Sequence, residues 1–313
     1  MTTHFFIPLL GKRLRITTLD ICGNPPAATT PSTTVVTDGF ITVNLSSEVE
    51  DGAEIITKKA NGALCVNEKL DNSFKRFTVG IDFCGVNPSL LAMVTNAQTY
   101  ADYALDVAGF KVGEGAIADR FALELWTGLS GAACLPGAAF SGGYLLLPFV
   151  AGGVIGDITV DGENAVTFSL TGAYTRGGNV WGVGPYNVVN NATSVASPLP
   201  TALDPLDHLL LMDTSLAPPA ASNEPLPIPP YISAITPATG LAAGGTPIVI
   251  TGSGFTTATA VTVGGVACTA FVLNNDSTIH CTTAAHAVGS VPAVVTKTTT
   301  PTTITKANAY TYT

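Results

Sequence analysis

The sequence predicts an all-β chain with one short helix, and three observations carry that reading. Short segments alternate apolar and polar side chains with a period of two, as strands with one buried face do. Turn formers are dense, with 32 glycines and 21 prolines in 313 residues. Charged residues make up only 11%, against about 25% in an average soluble domain, and threonine is plentiful where lysine is scarce, a bias toward strands. The length of 313 residues fits two domains.

Taken in order, Lys12–Leu19 is a strand with Leu14, Ile16 and Thr18 on one face and Arg13, Arg15 and Thr17 on the other. A turn follows at Asp20–Pro26, then an Ala/Thr/Pro surface loop at Ala27–Thr34. Phe40–Leu45 is a strand with Ile41, Val43 and Leu45 on one face. Ile55–Lys59 and Leu64–Val66 flank Asn61-Gly62, a hairpin dipeptide. Phe77, Val79, Ile81 and Phe83 alternate through Phe74–Phe83. Asn87-Pro88 opens the one helix: Asn87 caps, Pro88 suits the first helical position, and Leu90, Leu91, Met93 and Val94 make the apolar face, ending near Asn96.

Gly109–Glu114 is turn-rich, and Arg120–Trp126 is a strand with Phe121, Leu123 and Leu125 on its core face. A Gly/Ala loop carrying Cys134 leads to the spine of the domain, Gly143–Val189. There Tyr144–Val150 is a buried run, Ile155–Val160 and Ala165–Leu170 are strands, and Asp161-Gly162 is the turn between them. Glycines 177, 178, 182 and 184 form an ordered loop beyond the sheet. Asp207–Asp213 is a last short strand. Ala217–Pro230 is Pro/Ala-rich, an extended semi-rigid linker. Beyond it, strands read at 232–235, 247–252, 260–263, 270–273, 277–281, 291–297 and 309–313, the spacing of an immunoglobulin-like sandwich. The boundaries are therefore 1–218, a linker at 219–229, and 230–313.

The formal net charge is −9, and all the acids but Glu224 and Asp276 sit in residues 1–218; the last segment holds Lys297, Lys306 and Asp276. Such a surface does not bind nucleic acid, because affinity for phosphate needs lysines and arginines that release counterions. Charges follow the first apolar patch, the reverse of a secretory leader, so synthesis in a cytoplasm is expected. The longest apolar run is too short to span a bilayer as a helix and is broken by Pro148 and Gly152-Gly153. Six cysteines lack Cys-x-x-Cys spacing, and the four histidines lack metal spacing. Gly252-Ser253-Gly254 is not a nucleophile elbow. Gly113–Ala118 has no βαβ unit around it. His208 reads as structural, and Trp126 and Trp181 as core or interface anchors. No enzyme, cofactor or metal site is expected.

Two segments resemble known families. Ile235-Thr236-Pro237, Gly244-Gly245-Thr246, Ile250-Thr251-Gly252-Ser253-Gly254-Phe255 and Val261-Thr262-Val263-Gly264-Gly265 resemble the IPT/TIG immunoglobulin-like domains. That family implies a disulfide between Cys268 and Cys281. The body resembles the major tail (tail tube) proteins of siphophages that infect actinobacteria. Asp20-Ile21-Cys22-Gly23-Asn24-Pro25, Asp38-Gly39-Phe40, Lys59-Ala60-Asn61-Gly62, Leu125-Trp126-Thr127-Gly128 and Trp181-Gly182-Val183-Gly184-Pro185-Tyr186 are among the residues that carry this resemblance. It implies a two-sheet β-sandwich flanked by one helix, hexameric rings stacked into a tube, and an inner β-barrel around a channel through which double-stranded DNA slides without specific binding. The immunoglobulin-like domain then decorates the outside. The implied partners are further copies and other tail proteins (tape measure, terminators, baseplate), in a virion.

Within that frame Glu48, Glu50, Asp51 and Glu54 read two ways: an acidic ring facing the lumen, or a solvated loop. A calcium site is disfavoured, since it needs preorganised oxygen ligands. The rival function is a virion or cell-surface adhesin whose last domain binds host polysaccharide. Threonine-rich strands with Tyr231, Tyr310 and Tyr312 would make its contacts. Tube formation after deletion of 219–313 separates the two readings.

Overall fold

The computed structural model describes residues 8–28, 30–31, 33–85, 87–129, 142–158, 166–191, 194–222 and 224–313. The predicted Asp161-Gly162 turn and Cys134 lie outside the described residues. The N-terminal body contains β1 (Pro8–Thr18), β2 (Thr34–Thr37), β3 (Phe40–Glu50), β4 (Glu54–Lys58), β5 (Leu64–Lys69), β6 (Ser73–Phe83), α1 (Pro88–Val94), β7 (Ala97–Ala101), β8 (Val107–Val112), β9 (Arg120–Leu129), β10 (Gly142–Ala151), β11 (Val154–Ile155), β12 (Phe168–Thr175), β13 (Val189–Asn190), β14 (Ala196–Ser197) and β15 (Leu210–Thr214).

Hydrogen bonds join nine of these strands in the order β2-β1-β9-β10-β12-β6-β3, with β11 on β12 and β15 on β10. Packing makes two layers of them. β10 gives most of its length to β9 and β15, and only Val150 and Ala151 to β12. The corner falls at a register shift between Leu147 and Val150, where Pro148 has no N–H to offer the ladder. One core lies between the layers: Leu14, Ile16 and Leu123 from one side meet Val79, Ile81 and Leu170 from the other. The Phe40 ring of β3 presses on Gly11 of β1, leaving no room there for a side chain. Helix α1 adds Leu90, Met93 and Val94 to this core. The Asn87 side chain accepts from the Ser89 amide at 2.8 Å, and Pro88 opens the first turn, as the sequence predicts.

A second core covers the outer face of the β1–β9–β10 layer. Ala122, Trp126, Tyr144 and Leu146 project there, under Trp181, Tyr186 and Leu199 of the glycine-rich loop. Both tryptophans are core residues. β9 is therefore buried on both faces, where the sequence indicates a single core face.

One strand face is corrected. Ile41 is exposed, while Phe40, Val43 and Leu45 pack on the core. A register shift between Phe40 and Thr42 inserts one residue and turns Ile41 outward. The two-stranded ribbons β4–β5 and β7–β8 stand apart from the large sheet. The first follows Asn61-Gly62 as read, with Gly62 at φ +82; the second is new.

The C-terminal segment holds β16 (Tyr231–Thr236), β17 (Thr239–Gly240), β18 (Pro247–Ser253), β19 (Ala258–Val263), β20 (Val266–Ala267), β21 (Thr269–Asn275), β22 (Thr278–Thr282), β23 (Gly289–Lys297) and β24 (Thr303–Tyr312). Its sheets, β16-β18-β22-β21 and β17-β24-β23-β19-β20, enclose Ile250, Phe255, Val263, Ile279, Val295 and Tyr310. The tight β19–β20 turn uses Gly264 and Gly265 at φ +64 and +80, a conformation glycine adopts without steric cost. All seven strands read from the sequence are present.

Ser222 and residues 224–229 lie against the body. The Ser222 amide donates to the Val36 carbonyl at 2.9 Å, and Thr34 and Leu226 exchange amide–carbonyl bonds of 2.9 and 2.7 Å. Ile228 is 1% exposed, inside the second core. Among the described residues no helix is long and apolar enough to cross a membrane.

Candidate assembly surface

The acids expected at 48–54 gather at the root of one ribbon, and the fold divides them. Glu48 ends in an ion pair, accepting from Arg76 Nε at 2.6 Å. Asp51 accepts from Asn72 Nδ2 at 3.0 Å, and Asn72 Oδ1 accepts from the Gly52 amide at 3.0 Å. Glu54 stands opposite Lys69 in the β4–β5 register. Glu50 is exposed at the end of β3. Among the described residues no group of three His, Cys, Asp or Glu is placed to hold a metal ion.

The ribbon above this root has no buried face. Every residue of β4 and β5 is exposed, including Ile55, Ile56, Leu64 and Val66. Leu70, Phe74 and Val49 extend the apolar surface toward its base. The β7–β8 ribbon likewise displays Tyr100, Tyr103, Leu105, Val107 and Val112. Apolar surface gathered on projecting ribbons marks a place where another chain packs. Beside the first ribbon runs β3, eleven residues that, among the described residues, pair on one side only, to β6. It carries no proline or lysine, and its two register shifts fall near its ends, at Phe40/Thr42 and Glu48/Val49, so the row of amides and carbonyls between them is regular enough to pair.

Charge that the sequence leaves unassigned sits on the opposite side. Arg15 and Glu124 face each other across β1 and β9. Arg15 Nε and Nη2 each donate to a Glu124 oxygen at 2.5 Å, and Tyr144 Oη donates to Glu124 Oε1 at 2.7 Å. The guanidinium lies 3.4 Å from the Tyr186 ring centre, and the Tyr186 hydroxyl bonds Thr17 and Thr34. Burial opposes the Arg15 charge, but Glu124 outweighs it and raises the pKa. Burial, reinforced by Glu124, pushes the Tyr144 hydroxyl well above its ordinary value. Every group is paired, as buried charge requires, so the cluster is a structural pin.

In the C-terminal sandwich, Cys268 and Cys281 are free thiols in hydrogen-bond contact. That contact holds Cys268 below the ordinary thiol range and, with burial, pushes Cys281 up. Tyr310 and Tyr312 correct an expectation: at 1% and 0% exposure they are core residues and cannot touch a ligand. They sit with Ala309 in the core of the sandwich, while Tyr231 is half-buried. His208 Nδ1 bonds the Thr175 hydroxyl at 2.7 Å, and Phe74 packs edge-on against its ring; burial lowers its pKa against the pull of Asp207.

Comparison with known proteins bears on the last segment. The family described as IPT/TIG domain matches residues 230–313. No curated protein matches the chain. Among solved structures, it aligns with SGBP-B of a Bacteroides ovatus mixed-linkage glucan utilization locus, in complex with mixed-linkage heptasaccharide, at 12% identity and a TM-score of 0.18. That alignment covers 88% of this chain and 62% of the other. Sequence motifs, strand order and family match agree on one point: residues 230–313 are an IPT/TIG domain.

Proposed function

We propose that this chain is a structural virion protein. Its copies assemble into hexameric rings that stack into a phage tail tube, with the IPT/TIG domain displayed outside. The carrying observation is the β4–β5 ribbon, which exposes Ile55, Ile56, Leu64 and Val66 beside the open edge of β3. A monomer gains nothing from ordering such a ribbon in water; a polymer buries it against the next copy. The tail-tube resemblance of the body supports the same reading. In the tube, Glu50 and its acidic neighbours face the channel and repel the passing DNA. Tape-measure, terminator and baseplate proteins are the remaining partners, and no catalytic step is involved.

Sedimentation velocity of the intact chain, compared with an Ile55→Asp/Leu64→Asp variant, tests this. The wild type is expected to sediment as rings and longer polymers, and the variant as a monomer with an unchanged circular dichroism spectrum. Polymers that survive both substitutions contradict the assignment of the ribbon. The rival reading, an adhesin, draws on the IPT/TIG domain, but burial of Tyr310 and Tyr312 removes two of its three expected contact residues.

A further inference from the structure

We propose that residues 219–226 are a removable cap on the β2 edge, and that peeling them away admits the β3 edge of a second copy. The inference rests on the ring reading above and specifies how ring growth is regulated. The large sheet has two ends, β2 and β3. A ring propagated by sheet pairing joins unlike edges head to tail, so both must be open. In this chain β3 is open and β2 is not. Both bonds of the Thr34–Leu226 pair are made, the Thr33 amide also reaches the Leu226 carbonyl at 3.2 Å, and Ser222 holds Val36.

The cap cannot itself be extended. Pro225 within it, and Pro227 and Pro229 just beyond it, have no N–H to offer an incoming strand. A free chain thus has one edge that pairs and one that is sealed, which keeps newly made copies from polymerising end to end.

Three features make the seal removable. It rests on a few backbone bonds. Ala221, Glu224 and Leu226 are exposed, and a cavity of about 450 Å³ lies beneath, lined by Val36, Asp38, Ser89, Ser222 and Glu224 among others. Ile228, by contrast, is buried with the second core. It stays anchored as the pivot, so the last domain remains attached while 219–226 swings off. Exchange of one set of β2 hydrogen bonds for another makes the opening nearly balanced, and burial of the ribbons drives it forward.

The test is hydrogen–deuterium exchange on the intact protein, monomeric and assembled, with Leu226→Pro as a second arm. Leu226→Pro deletes the amide that bonds Thr34. Loss of one such bond is expected to lower the concentration at which polymer appears about fivefold. In wild-type polymer, peptides covering 219–226 are expected to lose protection while 33–37 keep theirs. Polymer in which 219–226 remains protected, or a Leu226→Pro threshold equal to wild type, overturns the cap and leaves the ring reading standing. Wild-type protein that never polymerises overturns both.

Discussion

At the scale of single residues, the ionic groups separate into those that hold the fold and those that face outward. Arg15 and Glu124 look like solvent-side residues in the sequence, because Arg15 sits between Leu14 and Ile16, and Glu124 between Leu123 and Leu125, which fill a core. What hides them is the loop carrying Trp181, Tyr186 and Leu199, whose dense glycines reveal a loop but not where it folds back. Nothing local in the sequence encodes that long-range closure. The Gly-Gly turn at 264–265 and the Asn87 cap, by contrast, act through their own backbones and are legible. Asp276 belongs with the locally satisfied groups. Its carboxylate accepts from the Gly254 and Thr256 amides at 3.0 and 3.1 Å, and from the Thr256 hydroxyl. Burial opposes the charge, but these bonds prevail and hold its pKa below the usual carboxylate value. A depressed pKa stabilises the folded state above the unfolded value and ceases to do so as pH falls through the folded one. Asp276→Asn is expected to destabilise the IPT/TIG domain by about 1 kcal/mol near neutrality, a modest figure because the group is largely solvated. Chemical denaturation from pH 7 down to about 3 should show that gap closing below about pH 4; a gap constant across the range contradicts the hydrogen-bonding role.

At the scale of elements, legibility follows burial. Strands with one core face, such as β6, announce themselves by alternation. The β7–β8 ribbon has small, polar and aromatic side chains and little contact with any core, so it carries no period to read. β3 is legible as a strand but not in its bulge, since Ile41 and Phe40 are interchangeable by hydrophobicity. The Pro/Ala-rich stretch reads as a tether because its single large buried group, Ile228, is hidden among prolines. That residue fixes where the body ends as a folding unit. A chain cut after 229 is expected to melt like the body of the intact protein. A cut after 218 exposes the second core and the β2 edge together, and loss of the Ile228 side chain alone is worth roughly 2 kcal/mol. Differential scanning calorimetry of the two fragments decides the point: equal melting temperatures would show that 219–229 contributes nothing to the body.

At the scale of the whole molecule, an acidic body with projecting apolar ribbons carries a nearly uncharged IPT/TIG sandwich. The all-β class, the single helix and all seven strands read for the last domain are legible in the sequence. The ribbons' solvent-facing apolar groups are visible only once the fold shows that no core receives them. In the proposed assembly, self-association belongs to residues 1–218, the cap to 219–226 and display to 230–313. Negative-stain electron microscopy of the purified intact chain at increasing concentration tests the self-association most directly. Rings of uniform diameter that stack into hollow tubes are the expected images; fields of single particles at every concentration, with tail-initiating proteins supplied, would contradict it.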